Sequence, residues 1–304
     1  MGANDKVHAM NTCLIPMWRR PEFAWHCLQN IKLAEGANAL HYIFRLDHGF
    51  DPECLRVIEG WPYSHEVAQT RRTPYQIGKQ SYSLLTGYEI AASKSDGLVF
   101  MIEEDVMVAR DFFRWHIAAH EANPEAFCSI AVANPNRRMQ DAHDRPDAYY
   151  LGTADYCSLG VCFRKEVLSE RVLPEATTGY FVNPIDYVAR NFKGSPIGHA
   201  FAEQDGLIRR LQMRHGEAMP IVWPWMPRAY HAGYYGKNRG AGPRGPLAER
   251  IATLTSIIYS DEAMRTFAKH PEWYEDSRPI NLKTPTWETL QLLPIEQARN
   301  PVRF

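Results

Sequence analysis

Short apolar runs alternate with stretches whose apolar residues recur at helical spacing through the first half of this chain. TCLIPMW (12–18) predicts a buried strand, and RPEFAWHCLQNIKLA (20–34) places Phe23, Cys27 and Ile31 a turn apart, which predicts a helix. HYIFRLD (41–47) predicts a second strand ending on Asp47, and DPECLRVIEG (51–60) a short helix with proline early and glycine at its end. SHEVAQT (64–70) predicts a strand, QIGKQSYSLLTGYEIAAS (76–93) a helix, GLVFMIEED (97–105) a strand, RDFFRWHIAAHEAN (110–123) a helix and FCSIAVAN (127–134) a strand. Strands that alternate with helices imply an α/β fold with a mostly parallel sheet covered on both faces. In such sheets ligands bind beyond the carboxyl ends of the strands, so Asp47 and the carboxylates at 103–105 are expected to share one end of the sheet.

After residue 134 the rhythm breaks. NPNRRMQDAHDRPDA (134–148) is a polar loop, YCSLGVCFRKEVL (156–168) a strand leading into a helix, AFAEQDGLIRRLQMRHG (200–216) a helix closed by Gly216, and AMPIVWPW (218–225) a strand. YYGKNRGAGPRGP (234–246) has four glycines and no apolar period, which reads as a glycine-rich lid. Within it GAGPRG formally matches GxGxxG, but no strand precedes it and Pro243 interrupts it. LAERIATLTSIIYS (247–260) predicts an amphipathic helix, followed by a proline-containing tail.

With 304 residues, 45% of them hydrophobic, the chain has ample material for a large core. Lys plus Arg number 34 against 35 Asp plus Glu, so no global field draws it to nucleic acid or an anionic membrane. No run approaches the roughly 20 apolar residues of a spanning helix, and the first residues lack a signal peptide's pattern. Six cysteines, none in a CxxC spacing, sit mostly in apolar runs and read as reduced core thiols of a cytoplasmic protein.

The chemistry is concentrated where VFMIEED (99–105) runs from apolar residues into Glu103, Glu104 and Asp105. Three charges at the rim of a core are costly unless engaged, and oxygen ligands suit Mg²⁺ or Mn²⁺ bridging to substrate phosphates. At this point the chain resembles a family. EEDVMVARDFF is similar to the acidic metal motif, EDD followed by a phenylalanine pair, of GT-A fold glycosyltransferases of the N-acetylglucosaminyltransferase I family. WRRPEFAWHCLQNI, RLDHGFDPE, FCSIAVANPN, YCSLGVCFRKEVL, AEQDGLIRRLQMRHG and PRAYHAGYYGKNRG resemble further segments of that family in the same order, over roughly residues 12–245. The chain departs from the pattern in Glu104, which stands where the motif has its first Asp, and in the small residues of SLG.

The resemblance implies a GT-A, Rossmann-like domain over 1–245 and a C-terminal helix and wrapping tail over 246–304. Asp105 would hold Mn²⁺ or Mg²⁺, with His231 at the metal or diphosphate. Glu104 would touch ribose or sugar, and Glu103 would support the loop. Asp47 would accept from the nucleotide base or ribose, and Arg20, ahead of Arg19, would flank the nucleotide. Lys79 and Ser83 would lie near it, while Arg228, Lys237 and Arg239 would meet phosphates. Asp205 is the expected general base, with Glu203 the runner-up, because a spacing of two puts them on different helix faces. The implied activity is metal-dependent, inverting transfer from a nucleotide sugar, expected to be a UDP-sugar, to a hydroxyl on a glycan. The alternative acceptor is a hydroxymethylated base in DNA, which WRR, RRTPY and NRR would serve by contacting phosphates and stacking on bases. Two rivals are a sugar-nucleotide-forming nucleotidyltransferase, which would want a glycine-rich loop after the first strand, and a nucleotide-sugar-binding protein without turnover.

Overall fold

The computed structural model describes residues 10–70, 79–132, 149–153, 156–194, 202–224, 227–233 and 302–303. Its first half alternates as the apolar pattern implies: β1 (Thr12–Met17), α1 (Pro21–Ile31), β2 (His41–Leu46), α2 (Glu53–Glu59), β3 (His65–Gln69), α3 (Lys79–Lys94), β4 (Leu98–Met101), β5 (Val106–Val108), α4 (Phe112–Ala122) and β6 (Cys128–Ile130). The second half adds β7 (Tyr149–Gly152), β8 (Val161–Arg164), the short helices α5 (Lys165–Val167), α6 (Thr178–Val182) and α7 (Pro184–Asn191), then α8 (Gln204–His215), β9 (Ile221–Pro224), β10 (Ala229–His231) and β11 (Val302–Arg303).

The main sheet runs β11-β7-β9-β6-β8-β4-β1-β2-β3. β1 pairs in parallel with β2 and β4, and β2 with β3, whereas β8 runs antiparallel to both β4 and β6. β6 and β9 are again parallel. The fold is therefore α/β, with a mostly parallel sheet flanked by helices. β4 is buried at every residue and lies at the centre, packed through Phe100 on Phe112, Phe113 and His116 of α4.

The order 3-2-1-4 positions the site. The chain leaves β1 toward β2 and β3, then returns to the other side of β1 as β4. A crevice therefore opens where the connections from β1 and β4 diverge, the usual ligand position in an open α/β sheet. β4 stops at Met101, four residues earlier than the apolar pattern suggests. Ile102 still donates its N–H to Leu14 O, but the carboxylates then occupy a turn closed by Val106 N–H on Glu103 O. The chain leaves the sheet there to form β5, which pairs antiparallel with β10. That small ribbon brings His231 opposite Val106, across 125 residues of sequence.

All six cysteines are free thiols, five of them buried. No helix among the described residues is long and apolar enough to cross a membrane. The helix expected over 247–260, the polar loop 134–148 and the glycine-rich segment 234–246, with Lys237 and Arg239, lie outside the described residues.

Candidate active site

The turn after β1 supplies the cationic part. Pro21 opens α1, and Arg20 stands at the N-cap position without making a side-chain cap; its guanidinium reaches the acidic turn instead. Arg20 Nε donates to Glu104 Oε1 at 2.7 Å and Nη1 to Asp105 Oδ2 at 2.5 Å. Burial works against the Arg20 charge, but the two carboxylates hold it firmly protonated. Glu104 also accepts the Trp18 backbone N–H at 2.8 Å. Burial pushes Glu104 up to about 7 even though Arg20 opposes the shift.

Asp105 is 1% exposed and carries the densest set of contacts. Its Oδ2 takes both Arg20 and His231 Nε2, the latter at 2.9 Å, while its backbone oxygen accepts Ala232 N–H at 2.7 Å. Burial would raise its pKa, but His231 and Arg20 outweigh it and hold the carboxyl below its usual range. Its Oδ1 is buried with no hydrogen-bond partner among the described residues.

Two observations test whether a divalent ion fits here. The two donor atoms, Asp105 Oδ2 and His231 Nε2, lie 2.9 Å apart, about the spacing of neighbouring ligands on an octahedral ion with bonds near 2.1 Å. Asp105 Oδ1 is a second buried oxygen in need of a partner. Among the described residues no three His, Cys, Asp or Glu side chains converge as a closed cage. The donor set thus fits an ion bound by two protein groups and completed by oxygens of a ligand, as Mg²⁺ and Mn²⁺ are when they bridge phosphates.

Gly233 closes this pocket. A Cβ placed there would lie 2.5 Å from Asp105 Oδ2 and 2.6 Å from His231 Nε2, well inside contact distance. Gly233→Ala is expected to force the Asp105–His231 pair apart and to weaken Mn²⁺-dependent nucleotide binding by about tenfold or more. Isothermal titration with Mn²⁺ and a nucleoside diphosphate measures this. An unchanged affinity would mean the pair is not part of the binding surface.

On the other side of the turn stand Glu103 and Asp205. Ser158 Oγ lies 2.8 Å from Glu103 Oε1 and 3.2 Å from Asp205 Oδ2, so one hydroxyl spans the acidic turn and the N-terminus of α8. Gly160 follows at φ +64°, and its Cβ would press on Phe112, Ala229 and Ala131 at 3.2–3.4 Å, so the turn that presents Ser158 requires glycine. Burial raises Glu103 to about 7, helped by the Asp105 and Asp205 charges. Burial also raises Asp205 to about 6, against the Ser158 hydrogen bond. Asp205 Oδ1 is buried and has no hydrogen-bond partner among the described residues. Gln204 is tied down by Ser81, accepting from its hydroxyl at 2.9 Å and donating its N–H back at 3.0 Å, which fixes the start of α8.

The remaining expected residues divide. Asp47 follows β2, half-buried, with its carboxyl accepting His48 N–H at 2.7 Å. Burial raises its pKa, opposed by His48, Arg45 and Ser83. Ser83 is buried and shares a 2.8 Å hydrogen bond with Thr70, so it supports Asp47 from behind. Lys79 opens α3, and its side chain lies outside the described residues. Glu203 is exposed at the N-cap position of α8 and makes no side-chain cap. Arg228 is 0% exposed, 3.6 Å from Asp111 and over the Trp115 ring, so it is packed under the β5–β10 ribbon rather than presented to a ligand. Trp18 and Arg19 stand exposed at the rim, the guanidinium 4.7 Å over the indole, with Trp18 Nε1 donating to His48 O and Arg19 Nε to Gly49 O.

No family model matches the chain, and no curated protein matches it in sequence. Solved structures similar to it include the mannosyltransferase PcManGT of Pyrobaculum calidifontis in complex with GDP-Man and Mn²⁺ (12% identity, 90% of this chain and 77% of that one, TM-score 0.43). Core-mannan synthase A of Aspergillus fumigatus in its Mn/GDP form is similar too (13%, 84% and 86%, 0.44). So is 4-diphosphocytidyl-2C-methyl-D-erythritol synthase of Anaerococcus prevotii (10%, 71% and 89%, 0.39). These scores carry no argument about activity, and the function has to be read from the crevice between β1 and β4.

Proposed function

We propose that this chain is a GT-A-type glycosyltransferase that moves a sugar from a nucleotide sugar to a hydroxyl with inversion, assisted by Mn²⁺ or Mg²⁺. The observation that carries the reading is the joining of two chemically different halves by Ser158: Glu103 belongs to the acidic turn that holds Asp105, and Asp205, 3.2 Å from the same hydroxyl, has an Oδ1 without a partner among the described residues. One half suits a departing diphosphate, the other a hydroxyl that must lose its proton.

Asp105 and His231 would hold the ion, which when bound supplies positive charge against the developing diphosphate. His231 would do so through a neutral Nε2, with its proton moved to Nδ1. Asp205 accepts the proton of the attacking hydroxyl as that oxygen bonds to the anomeric carbon and the carbon–diphosphate bond breaks. Attack from the side opposite the leaving group inverts the centre. Glu104, spent on Arg20 and Trp18 N–H, holds the β1 and β4 turns together rather than facing the sugar. Asp47 and the Trp18–Arg19 plate would receive the nucleoside, for which a UDP-sugar remains the expected form. A second reading of the acceptor is a hydroxymethylated base in DNA; in that reading the Trp18–Arg19 plate would stack on the DNA and Asp47 alone would meet the donor nucleoside. The glycine-free turn Trp18–Arg19–Arg20 speaks against a nucleotidyltransferase, which would want glycines there to admit a triphosphate.

Thermal denaturation with UDP, GDP and their sugars, with and without Mn²⁺, tests the reading. Nucleoside diphosphate at about 100 times its Kd is expected to add about 2.7 kcal/mol of stability, and only with Mn²⁺. Slow release of diphosphate from one nucleotide sugar should follow, with water as acceptor. Absence of stabilisation by every nucleotide would overturn the reading. Pyrophosphate formed from a nucleoside triphosphate and a sugar phosphate would establish the nucleotidyltransferase, and binding without release in the presence of acceptors the non-catalytic module.

A further inference from the structure

The geometry points to Arg20 as a cation exchanged within the site: its guanidinium neutralises Asp105 until a divalent ion binds, then gives up Asp105, stays tethered to Glu104, and turns toward the incoming diphosphate. The inference rests on the metal part of the proposed function and concerns what competes with that metal.

Asp105 Oδ2 carries two N–H donors, Nη1 of Arg20 at 2.5 Å and Nε2 of His231 at 2.9 Å. A carboxylate oxygen has two lone-pair positions, so both are taken. An ion bound between Asp105 and His231 needs Oδ2 or its neighbour Oδ1 together with a deprotonated Nε2, and it brings two positive charges beside a guanidinium. On Oδ2 the ion needs a lone pair that Nη1 holds, and on either oxygen its charge repels the guanidinium, so the Nη1 bond is the one displaced. The Nε bond to Glu104 Oε1, 2.7 Å long, lies on the other arm of the fork and need not be. Solvation is arranged the same way: the Arg20 side chain is 24% exposed, while those of Glu104 and Asp105 are 5% and 2% exposed. Only the arginine has an open side to move into.

Formal charge also favours retention over expulsion. Once Asp105 is given to the ion, Glu104 is left as a 4% exposed carboxyl whose charge still needs the guanidinium beside it. A guanidinium that stays on Glu104 presents its freed N–H groups at the crevice, in the planar fork that suits phosphate oxygens. Arg20 therefore opposes the metal when it binds alone and favours the metal with a diphosphate.

Manganese binding without any nucleotide tests this, read by the electron paramagnetic resonance of free Mn²⁺. Arg20→Gln, which removes the competing charge, is expected to bind Mn²⁺ at least tenfold more tightly than the unaltered chain. Arg20→Lys, which keeps the charge but cannot bridge two carboxylates, is expected to fall between the two. Adding His231→Ala to Arg20→Gln should remove the gain. With UDP present the order reverses, and Arg20→Gln should lose tenfold or more in nucleotide affinity. Equal or weaker Mn²⁺ binding by Arg20→Gln would overturn the exchange, as would a gain that survives His231→Ala. If Arg20→Gln does not fold, Arg20→Lys decides alone, and affinity equal to or below that of the unaltered chain overturns the proposal. The manganese readout needs no nucleotide, so the exchange stands or falls separately from the transferase reading.

Discussion

Asp105→Ala is expected to abolish Mn²⁺-dependent nucleotide binding, with an affinity loss of about 10²-fold or more, since even outer-shell changes at metal sites cost about 10–100-fold. The same substitution removes an acceptor from Arg20 and from His231. Reading the carboxylate as a rim residue predicts an intact fold, but at 1% exposure Asp105 is inside the network, so a stability loss accompanies the binding loss. Arg20 keeps Glu104 and is part-exposed, which limits that loss to about 1–3 kcal/mol. Asp105→Asn separates the two effects. It keeps the shape and most of the hydrogen bonding, so stability should return while the charge that holds the ion does not. Calorimetric titration of UDP with Mn²⁺ beside thermal melts of the three proteins is the measurement. Full affinity in Asp105→Asn would remove Asp105 from the metal site.

What the sequence made legible was the frame and most of the charged parts. Short apolar runs and apolar residues at helical spacing marked the elements from β1 to α4, β5 apart, within a few residues, because β1, β2 and β4 are buried almost throughout and the helices bury one face. The acidic turn was visible because charges that follow a wholly apolar strand are conspicuous. Ser158 was not, although it joins the two halves of the site: a serine between a cysteine and a leucine has no period and no charge, and its role exists only once β8 lies beside β4. Gly233 was equally silent, since a glycine ahead of a glycine-rich segment looks like more of the same. Arg228 shows the converse. It was expected at the phosphates, and nothing local reveals that the β5–β10 ribbon will bury it over Trp115. Arg20 was placed at the nucleotide, yet it is bound to the carboxylates, because side-chain partners across 84 and 85 residues follow from strand order, not from spacing.

Asp205→Asn is expected to lose catalysis and gain stability together, a combination that a merely structural residue does not give. A general base contributes about 10²–10⁴-fold, so diphosphate release from the nucleotide sugar should fall by that order while donor affinity is unchanged. Burial raises Asp205 to about 6, whereas an aspartate in the unfolded chain titrates near 4. The folded chain therefore holds this proton more tightly than the unfolded one. The stability it confers is complete below about pH 4 and is lost as pH rises through about 6. At pH 8 the unaltered protein keeps a buried charge whose Oδ1 has no partner among the described residues, against the favourable field of the α8 N-terminus. Asparagine carries no such charge and can still meet Ser158. Asp205→Asn should thus be more stable than the unaltered chain at pH 8, by roughly 1–3 kcal/mol, and nearly equal to it at pH 4. The rate of the unaltered enzyme should rise with pH through an acid limb near 6, because only the carboxylate accepts a proton, and Asp205→Asn should lack that limb. Glu203→Gln is the paired control: the side chain is exposed and makes no cap, so both rate and stability should change little. An inactive Glu203→Gln beside an active Asp205→Asn would transfer the base to Glu203, and full activity in both would place the base off this helix altogether.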